Sequence, residues 1–235
     1  MDVKARARAE AAIRAVFAKY RKTQATDPRM LATLSSGKLY ELYVLSQVVT
    51  DLDNRGFTLT FVGSTPLSGS AGAVRSTLKF KGAPGMIKLS DSHFEVMVPG
   101  SSQPTYRLFL NIEFDTLGSK LNSVSDDSGR HELDIILTPA TTGYPTNDEI
   151  LLGVECKAVA NFEKGLVKEA LGVRREMSLL CSGQPSDLSL LCGGPIKIVS
   201  ADPPSEFILA YLDPKGDHYA DSPRSFGIDF TLLQP

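Results

Sequence analysis

The stretch that most restricts what this chain can become is residues 132–181. Two apolar runs, ELDIILT at 132–138 and EILLGVECKA at 149–158, are divided by a Pro-, Gly- and Thr-rich turn and followed by a helical pattern over about 163–181. Short apolar runs bounded by turn residues read as buried strands, and a period near 3.6 reads as a helix. The order strand, strand, helix calls for a sheet with a helix laid against it.

The rest of the chain extends that pattern at both ends. Residues 4–22 place Ile13, Val16, Phe17 and Tyr20 on one helical face, and residues 37–56 do the same with Leu45, Val48, Val49 and Leu52 before a stop at Gly56. From Phe57 the period shortens, and FTLTFV, VRSTLKF, HFEVMV and YRLFLNI read as strands, as do IKIV, EFILAYL and GIDFTLL later. GSTPLSGSAG at 63–72 and GSKLNSVSDDSGR at 118–130 read as polar connections. The expected fold is α/β, a central mixed sheet flanked by helices, in a single domain over 1–235. Within it, 1–36 supply an N-terminal helix and connection, 37–181 the core, and 182–235 strands that complete the sheet.

Composition narrows the function. An apolar fraction of 42% and a charged fraction of 22% are ordinary for a globular protein. No run approaches the roughly 18 apolar residues of a membrane span, and MDVKARARAEAAIRAVF has no secretory character. Cys156, Cys181 and Cys192 are too scattered for a disulfide framework or a zinc site, so a reducing cytoplasm is the expectation. A net charge of −2 argues against a protein that coats nucleic acid by bulk charge; any such contact must come from a local patch.

Along a strand, residues two apart share a face, so Glu155 and Lys157 project together while Val154 and Cys156 point the other way. The neighbours Leu151, Leu152 and Val154 mark this strand as buried, where a charge costs several kcal/mol unless it is paired or binds metal. Glu132 and Asp134 share a face of the preceding strand, with Leu133, Ile135 and Leu137 expected on the other. Should the two strands pair, their acids converge. Hard cations such as Mg²⁺ take one or two carboxylates and keep several waters. The ordinary alternative is a solvated ion pair worth about 0–1 kcal/mol.

Glu155-Cys156-Lys157 follows Asp134 by 21 positions. This spacing resembles the D…(D/E)xK signature of the PD-(D/E)xK nuclease superfamily, with Leu133 where the Pro of the name motif would stand. The resemblance covers roughly residues 37–181 and implies a restriction-endonuclease-like core. In that core the Asp lies on one strand of a hairpin, the ExK on the next, and a helix follows directly. It implies a Mg²⁺- or Mn²⁺-dependent nuclease acting on DNA more than RNA, in phage defence, restriction or repair. Asp134 and Glu155 would hold the metal and Lys157 would stabilise charge on the phosphate.

The resemblance also implies an acid on the helix before the sheet. Glu41 is the candidate, an acid on the apolar face of Leu45, Val48 and Leu52. Asp115 or Glu132 is an alternative or additional partner of Asp134, and His131 is more simply read as a solvated loop residue. The helix after the ExK strand carries Lys164, Lys168, Arg174 and Arg175 as candidate phosphate contacts, with Leu166, Ala170, Val173 and Met177 opposite. No Cys–His or Ser–His–Asp grouping and no glycine-rich nucleotide motif is present. Double-strand cutting usually needs two active sites, so a homodimer or a partner protein is expected. Two other readings stay open: a non-catalytic module of the same fold within a larger complex, and an interaction protein whose acids are surface charges.

Overall fold

The computed structural model describes residues 1–20, 28–63, 81–122, 124 and 126–235. Its helices are α1 (Val3–Lys19), α2 (Pro28–Thr33), α3 (Ser36–Asn54), α4 (Leu117–Leu121), α5 (Lys164–Met177), α6 (Asp187–Leu190) and α7 (Asp221–Arg224). Its strands are β1 (Thr58–Val62), β2 (His93–Met97), β3 (Tyr106–Asp115), β4 (Arg130–Thr138), β5 (Leu152–Lys157), β6 (Leu179–Pro185), β7 (Ile198–Asp202), β8 (Glu206–Tyr211) and β9 (Ile228–Leu232). The expected strand VRSTLKF, residues 64–72 of the expected loop and the last residues of the first expected helix lie outside the described residues.

Seven strands form one mixed sheet in the order β1-β2-β3-β4-β5-β8-β9. The first five are an antiparallel meander, and β8 and β9 add parallel to β5. The strand bearing Glu155 and Lys157 is therefore central, with β4 on one side and β8 on the other. This architecture is α/β, as the alternation of periods predicts.

Two apolar cores cover the two faces of the sheet. On one, α3 packs between the sheet and α1, joining Ile13, Phe17, Leu39, Tyr40, Leu45 and Val49 to Ile135, Leu137, Leu152 and Val154. Each helix starts on a cap: Asp2 accepts from the Ala5 N–H at 2.7 Å and Ser35 from the Lys38 N–H at 3.3 Å. On the other face, Val167, Ala170 and Met177 of α5 meet Ile112, Leu133, Ile136, Phe207 and Leu209. Gly153 permits the close approach of α5, because a Cβ there would lie 3.0 Å from both Leu133 Cδ1 and Met177 Cε.

Strand parity breaks at one place, which corrects the expectation that Leu133, Ile135 and Leu137 share a face. Leu108 and Leu110 of β3 belong to the α3-side core, but Ile112 and Phe114 belong to the α5-side core. Across the ladder, Ile135 and Leu137 face α3 while Leu133 faces α5. The reversal falls on Asn111 and Asp134, between the register pairs Leu110–Ile135 and Ile112–Leu133. Asn111 has φ of 52°, the left-handed region that Asn tolerates better than most residues, and this turn of the backbone swaps the faces.

Three other expectations are corrected. The helix predicted to run to 181 stops at Met177: Ser178 is extended, and Leu179–Pro185 pairs with β7 as a separate two-stranded sheet. A Leu-rich run fits either state locally, and the β7 partner decides it. For the same reason IKIV does not enter the main sheet, which β8 and β9 alone complete on the C-terminal side. The polar connection at 118–130 contains α4, capped by the Thr116 hydroxyl at 3.1 Å from the Ser119 nitrogen, and a 3₁₀ turn at Asp127–Gly129.

Candidate active site

The pairing of β4 with β5 ends at Ile135–Val154, and beyond it the strands part. Asp134 sits at that point. Its Oδ2 accepts the Cys156 N–H at 2.7 Å, so a side chain replaces the strand carbonyl that a continued ladder would supply. Cys156 packs toward the α3-side core, which leaves Glu155 and Lys157 on the opposite face, as their spacing predicts. Their strand is held from the other side by parallel pairing of Glu155 with Leu209 and of Lys157 with Tyr211 in β8.

The parted strands and α5 enclose a cleft of about 500 Å³ lined by His131, Glu132, Asp134, Glu155, Lys157 and Glu169 among others. Glu155 is only 8% exposed. Its Oε2 lies 3.2 Å from Lys157 Nζ, which is also 3.3 Å from Oε2 of Glu169 on α5. One ammonium thus bridges a buried carboxylate and a solvated one.

The electrostatics of the cleft are dominated by acids short of cations. Burial, and then the Asp134 charge, push the Glu155 carboxyl up to about 7 despite Lys157. Burial raises Asp134 as well, against the opposing pull of the Cys156 N–H, Lys157 and Lys38. Glu132 is raised by burial and by Asp134. Burial alone would lower Lys157, but Glu155 and Glu169 reverse this and keep it charged.

Glu41 is not among the residues lining the cleft. Its Oε2 is held by Lys38 Nζ at 2.8 Å and faces Asn111 Nδ2 at 3.4 Å, near enough to Asp134 for the two charges to raise its pKa beyond the effect of burial. Among the described residues, no three His, Cys, Asp or Glu side chains are grouped so as to hold a metal ion. Asp134 and Glu155 share the cleft, whereas Glu41 stands beside it on its own network. Glu132 also lines the cleft, and so does His131 at its exposed edge. Asp115 does not: it pairs with Arg130 at 3.0 Å, and that guanidinium stacks 3.7 Å from the Tyr144 ring centroid.

The basic face of α5 is smaller than expected. Arg174 is 3% exposed and points inward, donating from Nε to Phe226 O at 3.0 Å, from Nη1 to Ser205 Oγ at 3.1 Å and from Nη2 to Ser205 O at 3.0 Å. Burial lowers its pKa to about 10. It ties α5 to the C-terminal strands and is not available to phosphate; Leu166 and Val173, given to the apolar stripe, are only half-buried. Lys164 and Lys168 are exposed without lining the cleft, and Arg175 borders a separate apolar hollow with Leu179, Leu180 and Phe226.

Three residues of this neighbourhood escaped the sequence reading. Glu169 was hidden because its contact with Lys157 crosses from α5 to β5. Lys38 carried one signal, its i, i+3 spacing to Glu41. Asn111 carried another, a polar residue inside the apolar run YRLFLNI. Comparison of the chain with protein-family models, curated proteins and solved structures gives no match. No helix among the described residues is long and apolar enough to cross a membrane.

Proposed function

We propose that this chain is a Mg²⁺- or Mn²⁺-dependent nuclease of the PD-(D/E)xK kind, with a restriction-endonuclease-like core, that hydrolyses phosphodiester bonds in DNA more than RNA. The observation that carries the reading is the meeting of Asp134, Glu155 and Lys157 in one open cleft where β4 and β5 separate. Supporting it, both carboxyls have pKa values raised chiefly by burial, so the cleft is short of positive charge and suits a hard dication. Two protein carboxylates suffice for Mg²⁺, which keeps waters and substrate oxygens as its other ligands.

In this reading Asp134 and Glu155 would hold the ion, which would acidify a bound water and neutralise phosphate charge. Glu169 and Glu155 keep Lys157 protonated and fix its ammonium at the cleft wall, where it meets the charge that grows on a phosphate oxygen in the transition state. The Cys156 N–H holds the Asp134 carboxylate in place from the other side. Placement of α3, the β4–β5 hairpin and α5 in the order that the resemblance implies also supports the assignment.

One observation favours a second reading, a non-catalytic module of the same fold: each acid already has a partner, Asp134 in the Cys156 N–H and Glu155 in Lys157. Thermal stability against Mn²⁺ concentration separates the two. A ligand that binds only the folded chain stabilises it by about 2.7 kcal/mol at a hundred times its Kd. The nuclease reading expects such a rise in the wild type and its loss in Glu155→Ala; equal, flat curves for both proteins favour the non-catalytic module.

A further inference from the structure

The neighbourhood of Asp134 contains a second ammonium that the mechanism above does not use. Lys38 Nζ lies 2.8 Å from Glu41 Oε2 and 2.7 Å from Asn111 Oδ1. The Asn111 amide completes the arrangement by donating from Nδ2 to Glu41 Oε2 at 3.4 Å and to Lys81 O at 3.1 Å. Asn111 is fully buried and is the only non-glycine residue with positive φ among those described. It interrupts the β3–β4 ladder between the pairs Leu110–Ile135 and Ile112–Leu133, and its amide meets the helix-borne acid there.

We propose that Lys38 is a built-in counter-cation for Glu41, in competition with the divalent ion for that carboxylate. The inference rests on the metal-site reading given above and adds to it a control on ion occupancy. The Glu41 side chain is 13% exposed, and a carboxylate that buried needs a cation beside it. Lys38 supplies one, and its charge also reaches Asp134 and Glu132. Its own side chain is 34% exposed on a flexible stem, so the ammonium has a way out to water. This explains why Glu41 stands beside the cleft and not in it. Glu41 becomes a ligand only at the expense of its bond to Lys38, which sets the ion concentration the site requires.

The test is the Mn²⁺ concentration giving half of the maximal thermal stabilisation, measured on the full chain without nucleic acid. Freeing Glu41 to serve as a third carboxylate ligand should lower that concentration roughly tenfold in Lys38→Met. Lys38→Arg retains the charge and should not lower it. Lys38→Gln keeps hydrogen-bonding capacity toward Glu41 and Asn111, and gives the same direction of change if Lys38→Met fails to fold. The gain should vanish when Glu41→Gln is added, because the competition runs through that carboxylate. A wild type that responds to Mn²⁺ beside a neutral Lys38 variant that responds equally or less strongly overturns this inference and leaves the metal site standing. A wild type with no Mn²⁺ response overturns both.

Discussion

Replacing Glu155 by glutamine should stabilise the metal-free protein at neutral and alkaline pH. Burial, and then Asp134, lift this carboxyl from 4.5 to about 7 in the folded chain, against the pull of Lys157. An acid whose folded pKa lies above its unfolded value binds its proton more tightly in the fold. Its stabilising contribution is therefore whole below about 4.5 and is lost as pH rises through about 7. At about 1.4 kcal/mol per pH unit, the gap between the two values amounts to roughly 3 kcal/mol. Glutamine keeps the shape and removes the ionisation. Urea unfolding in EDTA should thus find Glu155→Gln equal to wild type near pH 4.5 and more stable by about 2–3 kcal/mol near pH 8. Saturating Mg²⁺ should restore the wild type at the higher pH and leave the variant unchanged. A variant less stable than wild type at pH 8 would show instead that Glu155 acts as an ionised, stabilising partner of Lys157.

Two further substitutions separate chemistry from architecture. Lys157→Ala should reduce turnover by about a hundredfold or more in single-turnover cleavage while leaving the Mn²⁺-dependent thermal shift near that of wild type, since an ammonium stabilises transition-state charge but cannot ligate the metal. Arg174→Ala should cost about 2–4 kcal/mol in urea denaturation, because it strips three hydrogen bonds of a buried guanidinium from Phe226 and Ser205; a change within about 0.5 kcal/mol would return Arg174 to the exposed face.

The elements that the sequence announced well are those whose burial repeats with a single period. Ile13 and Phe17 on α1, and Leu45, Val48, Val49 and Leu52 on α3, are buried as their spacing predicts. The two-residue period of β5 likewise puts Glu155 and Lys157 on one face. Parity failed on β3 and β4 because a single left-handed residue, Asn111, reverses it, and nothing in YRLFLNI states its φ. Arg174 was misplaced because α5 buries more of its circumference than its apolar residues mark: Ser205 and Phe226 arrive from the far end of the chain to satisfy a charge inside. The contacts Lys38–Asn111 and Lys157–Glu169 are of the same type, fixed by tertiary approach and therefore invisible to local pattern.

Cleavage by the purified chain separates a nuclease from an inactive relative. Wild type and Glu155→Ala, purified identically, are incubated with supercoiled DNA, linear DNA, single-stranded DNA and RNA, with Mn²⁺ and with EDTA. Products are expected from the wild type, on DNA above all, only with Mn²⁺, and none from Glu155→Ala under any condition. Equal degradation by both proteins, or no product from a wild type that binds Mn²⁺, would rule out metal-dependent cleavage at Asp134, Glu155 and Lys157.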